Sequence, residues 1–154
     1  MRIQIFKKIK NIDKLTKIIF TNLIDYVNLG ITIFNYDYIK YNLSQPDLLG
    51  WFLLDNDNNI VGYIIGNVKR ISDGRLTYFI NYIYILEKYQ GYGLSNELLE
   101  IVIKYTEENN INFIMTLCLK NDLYKYAKFG FIKDPIETLN NDNFIIITRY
   151  HFLQ

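Results

Sequence analysis

The chain has 154 residues, 50% of them hydrophobic, 16% aromatic and 21% charged, a balance that excludes intrinsic disorder and fibrous repeats and suits one packed domain over residues 1–154. Seventeen Lys and Arg nearly cancel 16 Asp and Glu, leaving +1, so no global field favours DNA, RNA or an anionic membrane. With Cys118 the single cysteine and His151 the single histidine, an intramolecular disulfide and a Cys/His zinc site are both excluded; the expectation is a metal-free, cytoplasmic protein with no signal peptide and no bilayer-spanning segment.

Arg2 to Lys8 alternates apolar and polar residues as an opening strand does. Asn11 suits a helix N-cap, and Ile12, Leu15, Ile19, Leu23 and Val27 form a stripe at helical spacing that runs to Gly30. Ile31 to Pro46 shows no clear period and reads as a loop with a short helix. Trp51 to Leu54 and Ile60 to Arg70 read as strands around the Asn/Asp turn at 55–59, and Ser72, Asp73 and Gly74 turn the chain into a third strand, Leu76 to Leu86. These make an antiparallel meander.

The glycine-containing loop Glu87 to Gly93 then opens a helix with Leu94, Leu98, Ile101, Val102 and Tyr105 on one side. Asn109 and Asn110 break it, Ile111 to Leu119 reads as a buried strand, Asp122 to Phe129 as a short helix ending at Gly130, and Phe144 to Phe152 as a last strand. The order predicts a mixed α/β domain without internal repeats. Its last strand, taken as an exposed edge, would pair with a second copy to give a homodimer.

The segment from Ile83 to Ser95 carries the most chemistry. A strand feeds a glycine loop that starts a helix, and such a loop turns backbone amides toward one point beside the positive end of the helix dipole. An anion such as a pyrophosphate fits there. A P-loop requires Lys and Ser or Thr after its second glycine, whereas Leu94 and Ser95 follow Gly93. A dinucleotide fingerprint requires Gly or Ala where Asn96 stands and an early parallel βαβ unit, which the meander replaces. A turn with no ligand is the remaining alternative.

Gln90, Gly93 and Ser95, spaced as Gln-x-x-Gly-x-Ser, resemble the coenzyme A pyrophosphate loop of the GNAT acyltransferase superfamily, which reads Arg or Gln, two residues, Gly, one residue, Gly or Ala. Ser95 departs from the last position but remains small. Downstream, Tyr126, Ala127, Lys128, Phe129, Gly130 and Phe131 are similar to the Tyr-Glu-Lys-Leu-Gly-Phe signature of the same family. The resemblance covers about Trp51 to Phe131 and implies a GNAT-like fold in which the strand Leu76 to Leu86 splays away from Ile111 to Leu119.

The resemblance implies acetyl-coenzyme A as cosubstrate and a small-molecule or protein amine as acceptor. Main-chain groups of Ile83, Tyr84 and Ile85 would pair with the pantetheine arm, and Gln90, Gly91, Tyr92, Gly93, Leu94 and Ser95, with Asn121, would complete the cofactor site. Tyr126 would be the catalytic acid that protonates the departing thiolate, since a phenol and a thiol have similar basicity; Tyr124 is the fallback. An N–H near Ile85 would face the tetrahedral oxyanion.

A carboxylate usual on the meander strand is missing from Thr77 to Leu86, which leaves a water chain, Glu87, Asp25, Asp37 or Asp73 as alternatives for the base. His151 and Cys118 read as packed residues in apolar strands. Trp51 and the tyrosines between Tyr36 and Tyr41 read as packing before they read as an acceptor cleft. The expected function is N-acetyl transfer to a primary amine by direct attack; the rival is an inactive module of the same fold that binds coenzyme A or a protein partner.

Overall fold

The computed structural model describes residues 1–151. Seven strands, β1 (Arg2–Phe6), β2 (Leu48–Leu54), β3 (Ile60–Arg70), β4 (Leu76–Ile85), β5 (Phe113–Leu119), β6 (Ile132–Lys133) and β7 (Phe144–Tyr150), form one sheet in the order β1-β2-β3-β4-β5-β7-β6. The first four are antiparallel neighbours, β4 and β5 run parallel, and β7 is antiparallel to both β5 and β6. Five helices, α1 (Ile12–Asn22), α2 (Ile24–Val27), α3 (Tyr36–Leu43), α4 (Leu94–Glu108) and α5 (Leu123–Ala127), complete the mixed α/β fold expected from the sequence. Among the described residues no helix is long and apolar enough to cross a membrane.

Two apolar clusters divide the core. Leu98, Leu99 and Val102 of α4 pack with Leu49, Trp51, Val61, Ile64, Tyr78 and Ile80 of the sheet. Leu15 and Ile19 of α1 and Ile39 and Leu43 of α3 pack with Tyr63, Ile65 and Tyr82. Three tyrosines buried in these clusters satisfy their hydroxyls: Tyr78 donates to the Leu49 carbonyl at 2.6 Å, Tyr82 donates to the Ile33 carbonyl at 2.7 Å, and Tyr63 accepts from Asn22 at 3.1 Å. The last two bonds tie the helical N-terminal third to the meander, because a buried phenol left unpaired costs about 1–3 kcal/mol.

The helical stripe from Ile12 to Val27 is divided where the sequence shows no breaker. Asn11 caps α1, its side chain accepting from the Lys14 N–H at 3.0 Å, but Leu23 leaves helical space at φ −111°, ψ 20°, and α2 restarts one residue later. Tertiary packing of Leu23, which is 4% exposed, overrides local propensity there. Between α2 and β2, a 3-10 turn at Thr32–Phe34 precedes α3, which buries Ile39 and Leu43. β2 begins at Leu48, ahead of the expected Trp51.

The last strand is not an edge, contrary to expectation. β7 lies between β5 and β6, with Leu117 opposite Ile146 on one side and Ile132 opposite Thr148 on the other. Its apolar run reflects burial within the sheet. Phe152, assigned to that strand from the sequence, lies outside the described residues. His151 follows β7 as a packed residue: Arg149 donates to its Nδ1, so its Nε2–H donates to Thr106 Oγ1 at 2.8 Å. Burial and the Arg149 guanidinium hold its pKa below the ordinary imidazole value.

The sheet opens at one place. Ile65 faces Tyr82 and the next residue, Gly66, faces Ile80, so Asn81 is an extra residue in β4. β4 and β5 pair only from Thr77/Phe113 to Ile80/Thr116, where the Thr116 hydroxyl donates to the Ile80 carbonyl at 3.0 Å. Beyond that rung the strands part. A methyl group added at Gly66 would fall 2.0 Å from the Phe79 carbonyl oxygen, which no side-chain motion relieves. Gly66→Ala is therefore expected to lower stability by about 1–3 kcal/mol, read in urea unfolding.

Candidate active site

The parting of β4 and β5 leaves one edge of β4 open. The Leu86 N–H donates to Val61 of β3 at 2.9 Å, so by the alternation of a strand Ile83 and Ile85 turn their N–H and C=O groups the other way, toward the open edge. The side chain of Gln90 reaches back to that edge and donates to the Ile85 carbonyl at 2.8 Å, leaving the Ile85 N–H available. Gln90 thereby anchors the loop to the strand end.

The loop turns on glycine. Gly91 and Gly93 have φ of +86° and +77°, and no atom lies within 4 Å of where a Cβ would sit on either. Gly93 is the N-cap of α4 and supplies no side chain to close the first turn, so the leading amides of this 15-residue helix face outward. Outward leading amides beside two left-handed glycines are the backbone geometry that an anion cradle requires.

A cleft of about 640 Å³ collects these parts. Ile83, Tyr84, Ile85, Gln90, Gly91, Gly93, Leu94, Ser95 and Tyr126 all line it. Tyr92, at 76% exposure, and Asn121, on the exposed 3-10 turn before α5, are not part of its wall. Residues the sequence reading missed also line it: Tyr26 from α2, Asp122, and the two cations Lys125 and Lys128. Lys128 lies within the signature segment and Lys125 immediately precedes it, which was the signal available for them.

Tyr126 is held edge-on to Phe131 at 5.7 Å between ring centroids. Burial raises its pKa well above the ordinary phenol value, with Cys118, Tyr26 and Asp122 adding to the shift. The hydroxyl keeps its proton at any physiological pH and accepts or donates no hydrogen bond among the described residues, which leaves it free for a partner in the cleft. Tyr124 is 70% exposed and lines no part of the cleft.

A small chamber of about 50 Å³ continues through the parting, walled by Tyr26, Asn81, Thr116, Cys118, Asp122 and Tyr126 among others. On its far side a third space, of about 350 Å³, is lined by Tyr38, Asn67, Lys69, Thr77, Asn81 and Glu137 with several apolar neighbours. Asn81 borders both. Glu87, Asp25, Asp37 and Asp73 line none of the three spaces, and Trp51 sits in the core edge-on to Tyr78 and Tyr105. Burial pushes the Cys118 thiol up to about 11, so it remains an unreactive thiol. Among the described residues no group of His, Cys, Asp and Glu side chains is arranged to hold a metal ion.

A family model described as acetyltransferase (GNAT) family matches residues 20–131. No curated protein matches the sequence. Among solved structures, an acetyltransferase of the GNAT family from Staphylococcus aureus Mu50 superposes with a TM-score of 0.69 at 19% identity, covering 97% of this chain and 99% of that one. Tetrahymena GCN5 gives 0.70 at 14% identity over 97% and 96% of the two chains. The PaiA N-acetyltransferase from Thermoplasma acidophilum, in complex with coenzyme A, gives 0.65 at 16% identity over 98% and 100%. At such identities the likeness is one of fold.

Gly93 offers a direct test of the cradle. Gly93→Val meets no neighbour but forces a β-branched residue into the left-handed region at the mouth of the cleft. Acetyl-coenzyme A affinity of the folded variant is expected to fall about tenfold or more by calorimetry, equivalent to about 1.4 kcal/mol; unaltered affinity would remove the loop from the site.

Proposed function

The chain belongs to the acetyltransferase (GNAT) family, and on that premise we propose that it transfers an acetyl group from acetyl-coenzyme A to a primary amine by direct attack. The carrying observation is the convergence on one cleft of an open strand edge, a glycine loop with uncapped helix amides, and Tyr126. Nothing comparable would be required of a turn without a ligand.

In this reading Ile83 and Ile85 offer main-chain groups to the pantetheine arm as a neighbouring strand would, while the amides from Gly91 to Ser95 face the pyrophosphate. Tyr84 and Leu94 flank the arm. Lys125 and Lys128, which line the same cleft, add positive charge on the side opposite the loop. A nearly neutral chain thus concentrates its attraction for phosphate at one locus.

The chemistry is balanced without an enzyme-bound intermediate. The amine nitrogen forms a C–N bond to the thioester carbonyl carbon, the oxyanion faces the Ile85 N–H, and the C–S bond breaks with its electron pair on sulfur. Tyr126 gives its proton to that sulfur and recovers one from solvent, while the new ammonium loses a proton to water. The high pKa of Tyr126 keeps it in the donor form.

Tyr126→Phe removes one oxygen and keeps the ring against Phe131, so folding is expected to be retained. Its kcat is expected to fall about tenfold or more while acetyl-coenzyme A affinity stays unchanged, because a general acid contributes about 100-fold or more in favourable cases. Thermal shift supplies the companion measurement: acetyl-coenzyme A and coenzyme A at about 100 times Kd should each stabilise the fold by about 2.7 kcal/mol, and NAD should not. Unchanged turnover in Tyr126→Phe would reject the acid role, and no shift with either coenzyme A species would reject the cofactor.

A further inference from the structure

β4 carries an amide where the amine would enter, and the structure shows how that amide is aimed. We propose that Asn81 presents its Oδ1 to the attacking amine, held in that orientation by Asp47 and Asn67, and that the acceptor is a small monoamine whose apolar body lies in the 350 Å³ space beyond the parting. The proposal rests on the acetyl-transfer reading above.

The direction of the chain of hydrogen bonds is fixed at one end. The Asp47 carboxylate has no proton to give, so it accepts from Asn67 Nδ2 at 2.7 Å. The other Asn67 N–H faces the Asn42 carbonyl at 3.3 Å, and Asn67 Oδ1 is left to accept from Asn81 Nδ2 at 2.7 Å. Asn67 is 1% exposed, so a flip of its amide would bury unmet groups on every side. What remains of Asn81 is one Nδ2 hydrogen and its carbonyl oxygen, and to that oxygen no group donates among the described residues. The charge on Asp47 polarises both amides and makes that oxygen a better acceptor.

Position agrees with this role. Asn81 is the bulged residue of β4, and it borders both the small chamber shared with Tyr126 and the larger space. An amine hydrogen-bonded to its Oδ1 has its lone pair aimed by a fixed group rather than by solvent. The amide orients the amine and does not take its proton, so the acceptor arrives as the free base.

The larger space defines the body of the acceptor. Ile33, Phe79, Met115 and Ile146 give it apolar walls, and its volume lies near the lower end for ligand pockets. Thr77 lines it with a hydroxyl that is buried and has no partner among the described residues. Its charged groups are Lys69, paired at 3.4 Å with Asp47, and Glu137. One cation and one anion against apolar walls leave the space without net charge, which suits the apolar frame of a monoamine and opposes a polycation.

The test uses phenethylamine as the monoamine probe and spermidine as the polycation, with acetyl-coenzyme A binding followed separately by calorimetry. In the wild type, kcat/KM for phenethylamine is expected to exceed that for spermidine by about tenfold or more. Asn81→Ala should raise the phenethylamine KM and lower kcat/KM about tenfold or more with acetyl-coenzyme A affinity little changed, and should lower the melting temperature by a few degrees because Asn67 Oδ1 loses its donor. Asn81→Asp should also lose activity, since its carboxylate cannot donate to Asn67 Oδ1. Asp47→Ala, made together with Lys69→Met so that no unpaired cation is left in the acceptor space, should raise the phenethylamine KM relative to Lys69→Met alone and have no further effect once Asn81→Ala is added.

Wild-type amine kinetics in Asn81→Ala, or a gain of activity in Asn81→Asp, would overturn the role of Asn81 while leaving the acetyl-transfer reading in place. Preference for spermidine, or no turnover of phenethylamine by a protein that binds acetyl-coenzyme A, would overturn the acceptor class. No binding of acetyl-coenzyme A would remove the parent reading and this proposal with it.

Discussion

The parting of β4 from β5 is the constraint on which the site depends. A sheet that stayed paired beyond Thr116 would satisfy the main-chain groups of Ile83 and Ile85 internally and leave no edge for an extended ligand. One inserted residue, Asn81, shifts the alternation of β4 against β3, bends the strand, and lets the two strands diverge. The candidate site is arranged about that gap: the glycine loop and Tyr126 line the cleft on one side, and the amide of Asn81 borders the spaces beyond.

Electrostatics in the cleft is local and built largely from backbone. The leading amides of α4 and the side chains Lys125 and Lys128 converge while the chain as a whole stays near neutrality. Asp122, held at 3.3 Å from Lys125, limits how much of that charge is free. The space beyond the parting has the opposite design, with Lys69 tied to Asp47 and the amides of Asn67 and Asn81 on its wall. An anion is favoured on one side of the parting and a nearly neutral body on the other.

Much of this was legible in the sequence because it is encoded locally. Gly91 and Gly93 announce left-handed turns, the run from Leu76 onward announces the meander's last strand, and Tyr126 to Phe131 stands in one short segment. What was not legible depends on pairs far apart in the chain. Asn67 and Asn81 are 14 residues apart, Asn67 and Asp47 are 20 apart, and no pattern in an asparagine-rich chain marks those three among the rest. The break at Leu23 and the place of β7 inside the sheet likewise arise from tertiary packing, which an apolar stripe or an apolar strand does not specify.

The position of β7 between β5 and β6 has a consequence for how the chain is made. β5 is complete by Leu119, yet the strand that covers its second edge starts only at Phe144. While synthesis proceeds, β5 is an apolar strand paired with β4 from Phe113 to Thr116 and unpaired beyond, and open apolar edges invite association with other chains. Closure of the sheet waits for the far end of the described chain. The interval between those two strands is therefore the stretch of translation in which a chaperone has the most to protect.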